Sequence, residues 1–518
     1  MRRAAALALC LCLLGCLPAA EASNVEDSLV VGIQSTKTTA IRPLDPQERD
    51  MMSIYDLLYD SLVTIDDNYL PQPGLAESWE ESGSGKTWTF HLRENVTFSD
   101  GTPLTANDVV ATAQYILKRA QDETSADKGY YANLNYFVSS ISAKDDTTVV
   151  VKAARKYWGL LYAMTFPVLP AAYVESDNPP GTGAYVVSTF EPANYLWLQA
   201  NTNWWQTQPQ VKEIMVVCHN TPGDVIESYE YARVDACFTR SISAAQYKSG
   251  TTSLALDYRT NQLEVLLMNH SAAPLNSINV RKAIRYAIDV DKIASTVYMG
   301  MVERTDTPAI PGTWMYNNSL DSYFVTDLDA ARALLAEDGW EDSNEDGYLD
   351  KVNDKGELQT LSLTLRVYEE PDNNVRLEVA ESIATSLAAI GIDCTTSTVT
   401  FANMQSRLSA GSYELALAAY AMDPCPDWGF MLMSGNTGNY TRYRSTEITD
   451  LCKDLRTKTD QGSYTDTLYK IQTKFAEDCP FICLYYRAGS VLTRRMYTTV
   501  RDVREYELLR GIDTFHEN

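Results

Sequence analysis

Residues 75–101, LAESWEESGSGKTWTFHLRENVTFSDG, decide how the chain is read. Trp88, Phe90 and Leu92 alternate with Thr87, Thr89, His91 and Arg93, a period of two that predicts a strand buried on one face. Ser82-Gly83-Ser84-Gly85 ahead of it is turn chemistry, because glycine accepts the positive φ that tight turns require. Val96 and Phe98 carry the apolar face onward, and Ser99-Asp100-Gly101 turns the chain again. Thr105 and Asp108 have the spacing of a capping box, and Val109, Ala113, Ile116 and Leu117 give the following helix one apolar face. The stretch holds no nucleophile and no metal cluster. Its single histidine, His91, falls on the polar side of the strand and reads as a surface residue. The expected role is architectural.

Outward from this piece, 518 residues with 45% hydrophobic and 21% charged composition imply ordinary globular packing in two or three lobes. Arg2 and Arg3 followed by apolar Ala4–Leu14 form a targeting segment too short to span a bilayer. Leu13-Leu14-Gly15-Cys16 then resembles a bacterial lipobox, which makes Cys16 the expected lipidation site; cleavage after Ala20-Glu21-Ala22 is the plain alternative. Either route exports the protein, and no later segment reads as a membrane span. The formal net charge of −25, about −27 once Arg2 and Arg3 leave, argues against nucleic acid as a partner, because phosphates would be repelled. Ten cysteines are present, and seven remain after Cys10, Cys12 and Cys16, so full pairing is impossible. No CxxC pair offers a zinc or thioredoxin site.

The rest of the chain alternates strands and helices. Strands are expected at Leu29–Ile33, Thr148–Val151, Tyr185–Val187, Tyr195–Leu198, Val211–Cys218, Val265–Met268, Leu361–Val367, Ile392–Thr398, Tyr413–Ala419 and Phe481–Tyr485. Helices are expected at Met51–Leu62, Val280–Ile288, Asp329–Leu335, Val379–Ile390 closed by Gly391, and Ile448–Arg456. Val211 through Cys237 suggests a β-α-β unit, and Asn178-Pro-Pro-Gly-Thr-Gly183 is a breaker suited to a domain crossing. The order fits α/β layers.

Sites for chemistry are scarce. Asp342-Ser-Asn344-Glu-Asp346-Gly347 matches the first half of a calcium loop, but Asn353 stands where a bidentate glutamate belongs. The expectation is a structural acidic turn, and no metal or cofactor is assigned. His91, His219, His270 and His516 are isolated, and no nucleophile elbow, P-loop or dinucleotide fingerprint appears in context. No enzyme is expected. Trp204-Trp205 and Trp428 sit in loop-like surroundings where a ring could stack on a ligand.

With these segments in place, the chain resembles the extracellular solute-binding proteins of family 5, the peptide- and nickel-binding lipoprotein receptors of ABC importers. The stretch from Pro73 to Val109 is similar to the family signature almost throughout. Gly181-Thr-Gly-Ala-Tyr185, the Asn279–Asp289 helix, Ala331 to Trp340, the acidic turn and Ile390-Gly391-Ile392 follow in the family's order. The resemblance implies an α/β, two-lobed periplasmic-binding-protein-like fold with a discontinuous first lobe and an extra domain. The boundaries it suggests are a signal at 1–15 and a tether at 16–28, then lobe I from 29–45, 181–269 and 486–518. The extra domain would be 46–180, packed on lobe I, and lobe II 270–485. It implies a monomer outside the cell, on the membrane by a lipid alone, that captures di- or oligopeptides between its lobes for an ABC permease and its ATPase.

The ligand question then moves to Tyr420-Ala-Met-Asp423-Pro-Cys-Pro-Asp427-Trp428-Gly-Phe430. Peptide-binding relatives carry an aspartate here that pairs with the peptide α-amino group, and Asp423 stands at its position. Asp427 is the second carboxylate, Tyr420 and Trp428 are the flanking aromatic candidates, and Pro424-Cys425-Pro426 departs from the family pattern. Oligosaccharides are the rival ligand, through cleft tryptophans. Nickel chelates and haem would favour more histidines than four.

Overall fold

A computed structural model describes residues 28–517 apart from 47, 84, 125–127, 249–252, 354, 371–372, 495–496, 499–502 and 513–515. The expected signal, the lipidation residue Cys16 and the tether up to residue 27 lie outside these residues. Strands Ala76–Glu81 and Thr87–Leu92 pair antiparallel, with Trp88, Phe90 and Leu92 buried as the alternation predicts. Thr148–Ala153 and Val138–Asp145 complete a four-stranded sheet. Helix Ala106–Gln121 packs on it through Val109, Ala113 and Ile116. The Asp108 carboxylate accepts from the Thr105 amide and hydroxyl, both at 2.8 Å, and from the Ala171 amide at 2.8 Å.

The main sheet has eleven strands. Its first part runs Tyr185–Glu191, Tyr195–Ala200, Glu213–His219, Ser28–Gln34 and Ala236–Thr239; its second runs Asp393–Val399, Ser362–Tyr368 and Leu415–Ala421. Ser28–Gln34 lies parallel between Glu213–His219 and Ala236–Thr239, which helix Pro222–Glu230 connects, so the β-α-β unit is present. Two long antiparallel strands, Leu254–Met268 and Phe481–Thr493, join the two parts. Their pairing shifts register between Arg259 and Leu263 and between Glu264 and Val265. Val302–Arg304 adds an edge pairing to Phe481–Thr493. A second apolar core lies under helices Ile278–Ala287 and Val375–Ala388. The architecture is the expected mixed α/β, two-lobed one.

Several local expectations change. The helix expected to Leu62 spans Arg49–Leu58. Tyr59 is already extended, and its hydroxyl donates to the Pro179 carbonyl at 2.8 Å. Tyr59 and Leu62 are buried, so they fit helical spacing, yet extended chain buries them. The proline–glycine breaker presses on that helix end: a Cβ on Gly181 would lie 2.0 Å from the Leu58 carbonyl oxygen. Val265–Met268 is the end of a 15-residue strand. Helices Phe401–Ala410 and Gln461–Asp478 have no counterpart among the sequence expectations. All seven described cysteines are free, and burial pushes the thiols of Cys237, Cys394 and Cys452 up to about 12. Among the described residues no helix is long and apolar enough to cross a membrane.

Candidate functional site

Strand Leu415–Ala421 carries Tyr420 and delivers the chain into the loop with Asp423, Asp427 and Trp428, and the fold gives these four expected ligand residues different surroundings. Tyr420 is buried: its hydroxyl donates to the Gly438 carbonyl at 2.7 Å and its ring packs on Phe430, Tyr440 and Phe481. Trp428 is 3% exposed. Asp427 makes a two-pronged pair with Arg456 at 2.7 and 3.0 Å and accepts from the Tyr157 hydroxyl at 3.2 Å. The Asp423 side chain alone of the four is open to solvent.

Asp423 is nevertheless surrounded by protein. One carboxylate oxygen accepts from the Cys425 amide at 2.9 Å, which folds Pro424-Cys425-Pro426 into a tight turn; the other accepts from the Asn133 amide at 2.9 Å. Burial raises its pKa above the ordinary carboxylate range, the two hydrogen bonds oppose this, and nearby Asp427 reinforces it. Solvent access together with desolvation describes a group on a protein wall, open at its own atoms and crowded by the chain around it. Among the described residues, no cation is among the main influences on its carboxyl. Tyr464 steadies the loop from behind, its hydroxyl donating to the Pro426 carbonyl at 3.2 Å.

Three separated regions meet at this wall. Tyr130, Tyr131 and Asn133 come from the connection between helix Ala106–Gln121 and strand Val138–Asp145, Asp423 from the loop after strand Leu415–Ala421, and Tyr506 from the C-terminal segment. Tyr130 lies within electrostatic reach of Asp423 and is hydrogen-bonded to Tyr506, with ring centroids 6.1 Å apart. Tyr506 accepts from the Asn261 amide at 3.2 Å, and the Asn261 carbonyl accepts the Met422 amide at 2.8 Å beside Asp423. Tyr131 carries the line on to Asp56, an exposed carboxylate of helix Arg49–Leu58. Burial, then the Glu507 charge, push Asp56 well up, against the opposing pull of Arg504 and Arg510. Asp60 behind it is pushed up to about 6, first by burial, while the Trp205 indole donates to it at 2.8 Å.

Asp56, Tyr130 and Asn133 carried no sequence signal; Asn133 lies 290 positions from Asp423, and only the fold joins them. The described histidines are elsewhere. His91 pairs loosely with Glu80, His219 packs beside Gly32, and the His270 ring bonds the Pro480 carbonyl with its pKa lowered to about 4, first by burial. No tryptophan is exposed, and the Trp205 ring lies under the Arg93 guanidinium at 4.8 Å. A cavity of about 90 Å³ lies under helix Ile278–Ala287, lined by Arg285, Asp306, Phe475 and Cys479. There Arg285 already pairs with Asp306 at 2.7 Å, so the Asp423 wall is the stronger candidate. Chemically, that wall can accept an ammonium or another hydrogen-bond donor.

Comparison with known proteins identifies the family and the fold. The family model for bacterial extracellular solute-binding proteins, family 5 (middle region), matches residues 71–442. The oligopeptide-binding protein AppA of Bacillus subtilis is 26% identical over 462 residues, covering 84% of this chain and 81% of AppA. A probable D,D-dipeptide-binding periplasmic protein of Escherichia coli, DdpA, is 24% identical over 498 residues, covering 91% and 90%. The crystal structure of NikA from Brucella suis with Fe(III)-EDTA superposes with a TM-score of 0.80 at 19% identity, covering 94% of this chain and all of NikA.

Proposed function

Because the chain belongs to the bacterial extracellular solute-binding proteins of family 5, we propose that it is a non-catalytic receptor that captures di- or oligopeptides between its lobes and delivers them to an ABC permease and its ATPase. The observation that carries the reading is Asp423, a solvent-open carboxylate set among protein with amide donors only. A peptide α-ammonium supplies the opposite charge. In this reading Asp423 takes the amine, Asn133 orients it, and Tyr130 and Tyr131 flank the extended backbone, which pairs in β fashion and tolerates varied side chains. Tyr420, Asp427 and Trp428 hold the loop from behind and do not touch ligand. The lobes, with the boundaries expected from sequence, close about the two long strands. The receptor works as a monomer outside the cell, held to the membrane through lipidated Cys16.

Oligosaccharide binding lacks an exposed tryptophan platform, and nickel or haem binding lacks histidines at the wall. A thermal-shift screen with di-, tri- and pentapeptides, cello-oligosaccharides and nickel chelates tests the reading, since a ligand of the folded state raises the melting temperature. Peptides are expected to stabilise; a sugar or chelate stabilising in their place overturns it. Asp423→Asn is expected to weaken free-amine peptides by about 2–5 kcal/mol and N-acetylated peptides far less. Equal loss for both removes Asp423 from the amine role.

A further inference from the structure

The acidic loop between helix Leu328–Glu337 and the hairpin strand Asp350–Val352 lies outside the binding wall and has chemistry of its own. Asp342, Asn344, Asp346, the Tyr348 carbonyl and Asp350 stand at the first, third, fifth, seventh and ninth positions of a calcium loop. Gly347 takes φ +92° at the sixth, where the sharp turn needs a residue without a Cβ. The carboxylate oxygens of Asp342, Asp346 and Asp350 lie within 4.8 Å of one another.

Asp350 separates this loop from an ordinary acidic turn. Asp342 and Asp346 are exposed and occupied locally. Asp342 accepts from the Asp346 and Gly347 amides, and Asp346 accepts from the Tyr348 amide and the Asn344 side chain. Asp350 is 0% exposed, and neither of its carboxylate oxygens has a hydrogen-bond partner. Its backbone is fixed by reciprocal bonds with Glu341 at 3.0 and 2.7 Å, so the side chain is held against its two acidic neighbours. The adjacent cation does not relieve it: Lys351 donates to the Asp338 carbonyl at 2.5 Å and sits 5.7 Å over the Trp340 ring. A desolvated carboxylate beside two others is costly unless a cation joins them.

We propose that this loop is a calcium site. The donors are all oxygen, which excludes a zinc-type centre, and a flexible loop of this size suits calcium better than magnesium, which demands a tight octahedron and dehydrates reluctantly. Asn353, at the twelfth position, is committed to its own turn, its carbonyl accepting from the Lys355 and Glu357 amides. Without a bidentate glutamate the affinity falls in the range of extracellular modules, on the order of 10⁻⁴–10⁻³ M. The bound ion stiffens one edge of the second part of the molecule, where the Leu349 amide donates to the Gly391 carbonyl at 2.8 Å.

The test uses the full protein, stripped with EDTA and dialysed. Calcium at about ten times its dissociation constant is expected to raise the melting temperature by about 1–2 °C, with magnesium giving much less. Terbium luminescence sensitised through Tyr348 and Trp340 is expected to appear and to be displaced by calcium. Asp350→Asn is expected to lose both responses and, without calcium, to melt no lower than the unsubstituted protein. The exposed pair Asp342→Asn with Asp346→Asn, which keeps oxygen acceptors for the loop amides, provides a second variant and is expected to lose both responses too. Calcium leaving the unsubstituted protein unchanged in both readouts, or either variant keeping its calcium shift, overturns the proposal.

Discussion

Asp60 shows at the residue scale how burial of a carboxylate and stability are linked. Its carboxyl is pushed up to about 6 from an ordinary 3.8, first by burial, with the Trp205 and Thr182 hydrogen bonds pulling the other way. The folded state therefore binds the proton more tightly than the unfolded chain. The contribution is complete below about pH 4 and is lost as pH rises through about 6. Asp60→Asn keeps an acceptor for the indole and removes the charge. It is expected to melt above the unsubstituted protein at neutral pH, by at most about 1–3 kcal/mol, with the gap closing toward pH 4. Calorimetry across that range checks the sign; a gap that persists at low pH argues against it. The residues of this wall were unequally legible. Asp423 was singled out because its loop keeps a family spacing, and its role remains the proposal above, whereas Asp56 and Asn133 are polar residues whose neighbours lie far off in sequence. Trp204-Trp205 read as exposed because nothing nearby in sequence indicates that Asp60 will take the Trp205 indole.

Among the elements, helix Ala106–Gln121 was the most legible, and its cap reaches further than a capping box requires. Asp108 serves Thr105 twice and also accepts from the Ala171 amide across the domain. Thr105→Ala removes one side of the box and is expected to cost about 1 kcal/mol. Asp108→Ala also orphans the Ala171 amide, so about 2–3 kcal/mol is expected, with Asp108→Asn recovering part. Urea denaturation ranks the three; equal costs for the two alanine variants mean the Ala171 link contributes nothing. Strand Thr87–Leu92 was readable because one face meets the core and the other water, which writes a period of two into the sequence. Helix Gln461–Asp478 was not, because its buried face includes Thr467 and Gln472, which interrupt the apolar period. Gln472 is satisfied by Met315, Thr307 and Asn317, none of them near it in sequence.

For the whole molecule, the two long strands make one sheet out of two parts, and a buried charge network stands where their register slips. Glu264, 1% exposed, binds Arg376 at 2.6 and 2.7 Å and Arg487 at 3.1 Å, so it grips the partner strand as well as helix Val375–Ala388. Glu370 closes the set on the same two arginines at 3.0 and 3.4 Å, and the Tyr368 ring lies 4.2 Å from the Arg376 guanidinium. Replacing such a set with apolar residues can be neutral, but removing one partner strands the others in a desolvated place. Glu264→Gln is therefore expected to lower stability by about 3–5 kcal/mol. Asp329→Asn, which breaks the exposed pair with Arg332 at 3.0 Å, is expected to change almost nothing. Glu264, Glu370 and Arg376 lie beyond the Arg259–Leu263 slip, on the side that pairs with strand Leu415–Ala421, and Arg487 stands opposite the slip, so in the proposed closure the first three move with that part as one body. Compaction on adding a peptide, followed by small-angle scattering, should then survive Glu264→Gln even as the melting temperature falls. Loss of compaction in a variant that still binds peptide would place the pivot inside the network and not at the slip.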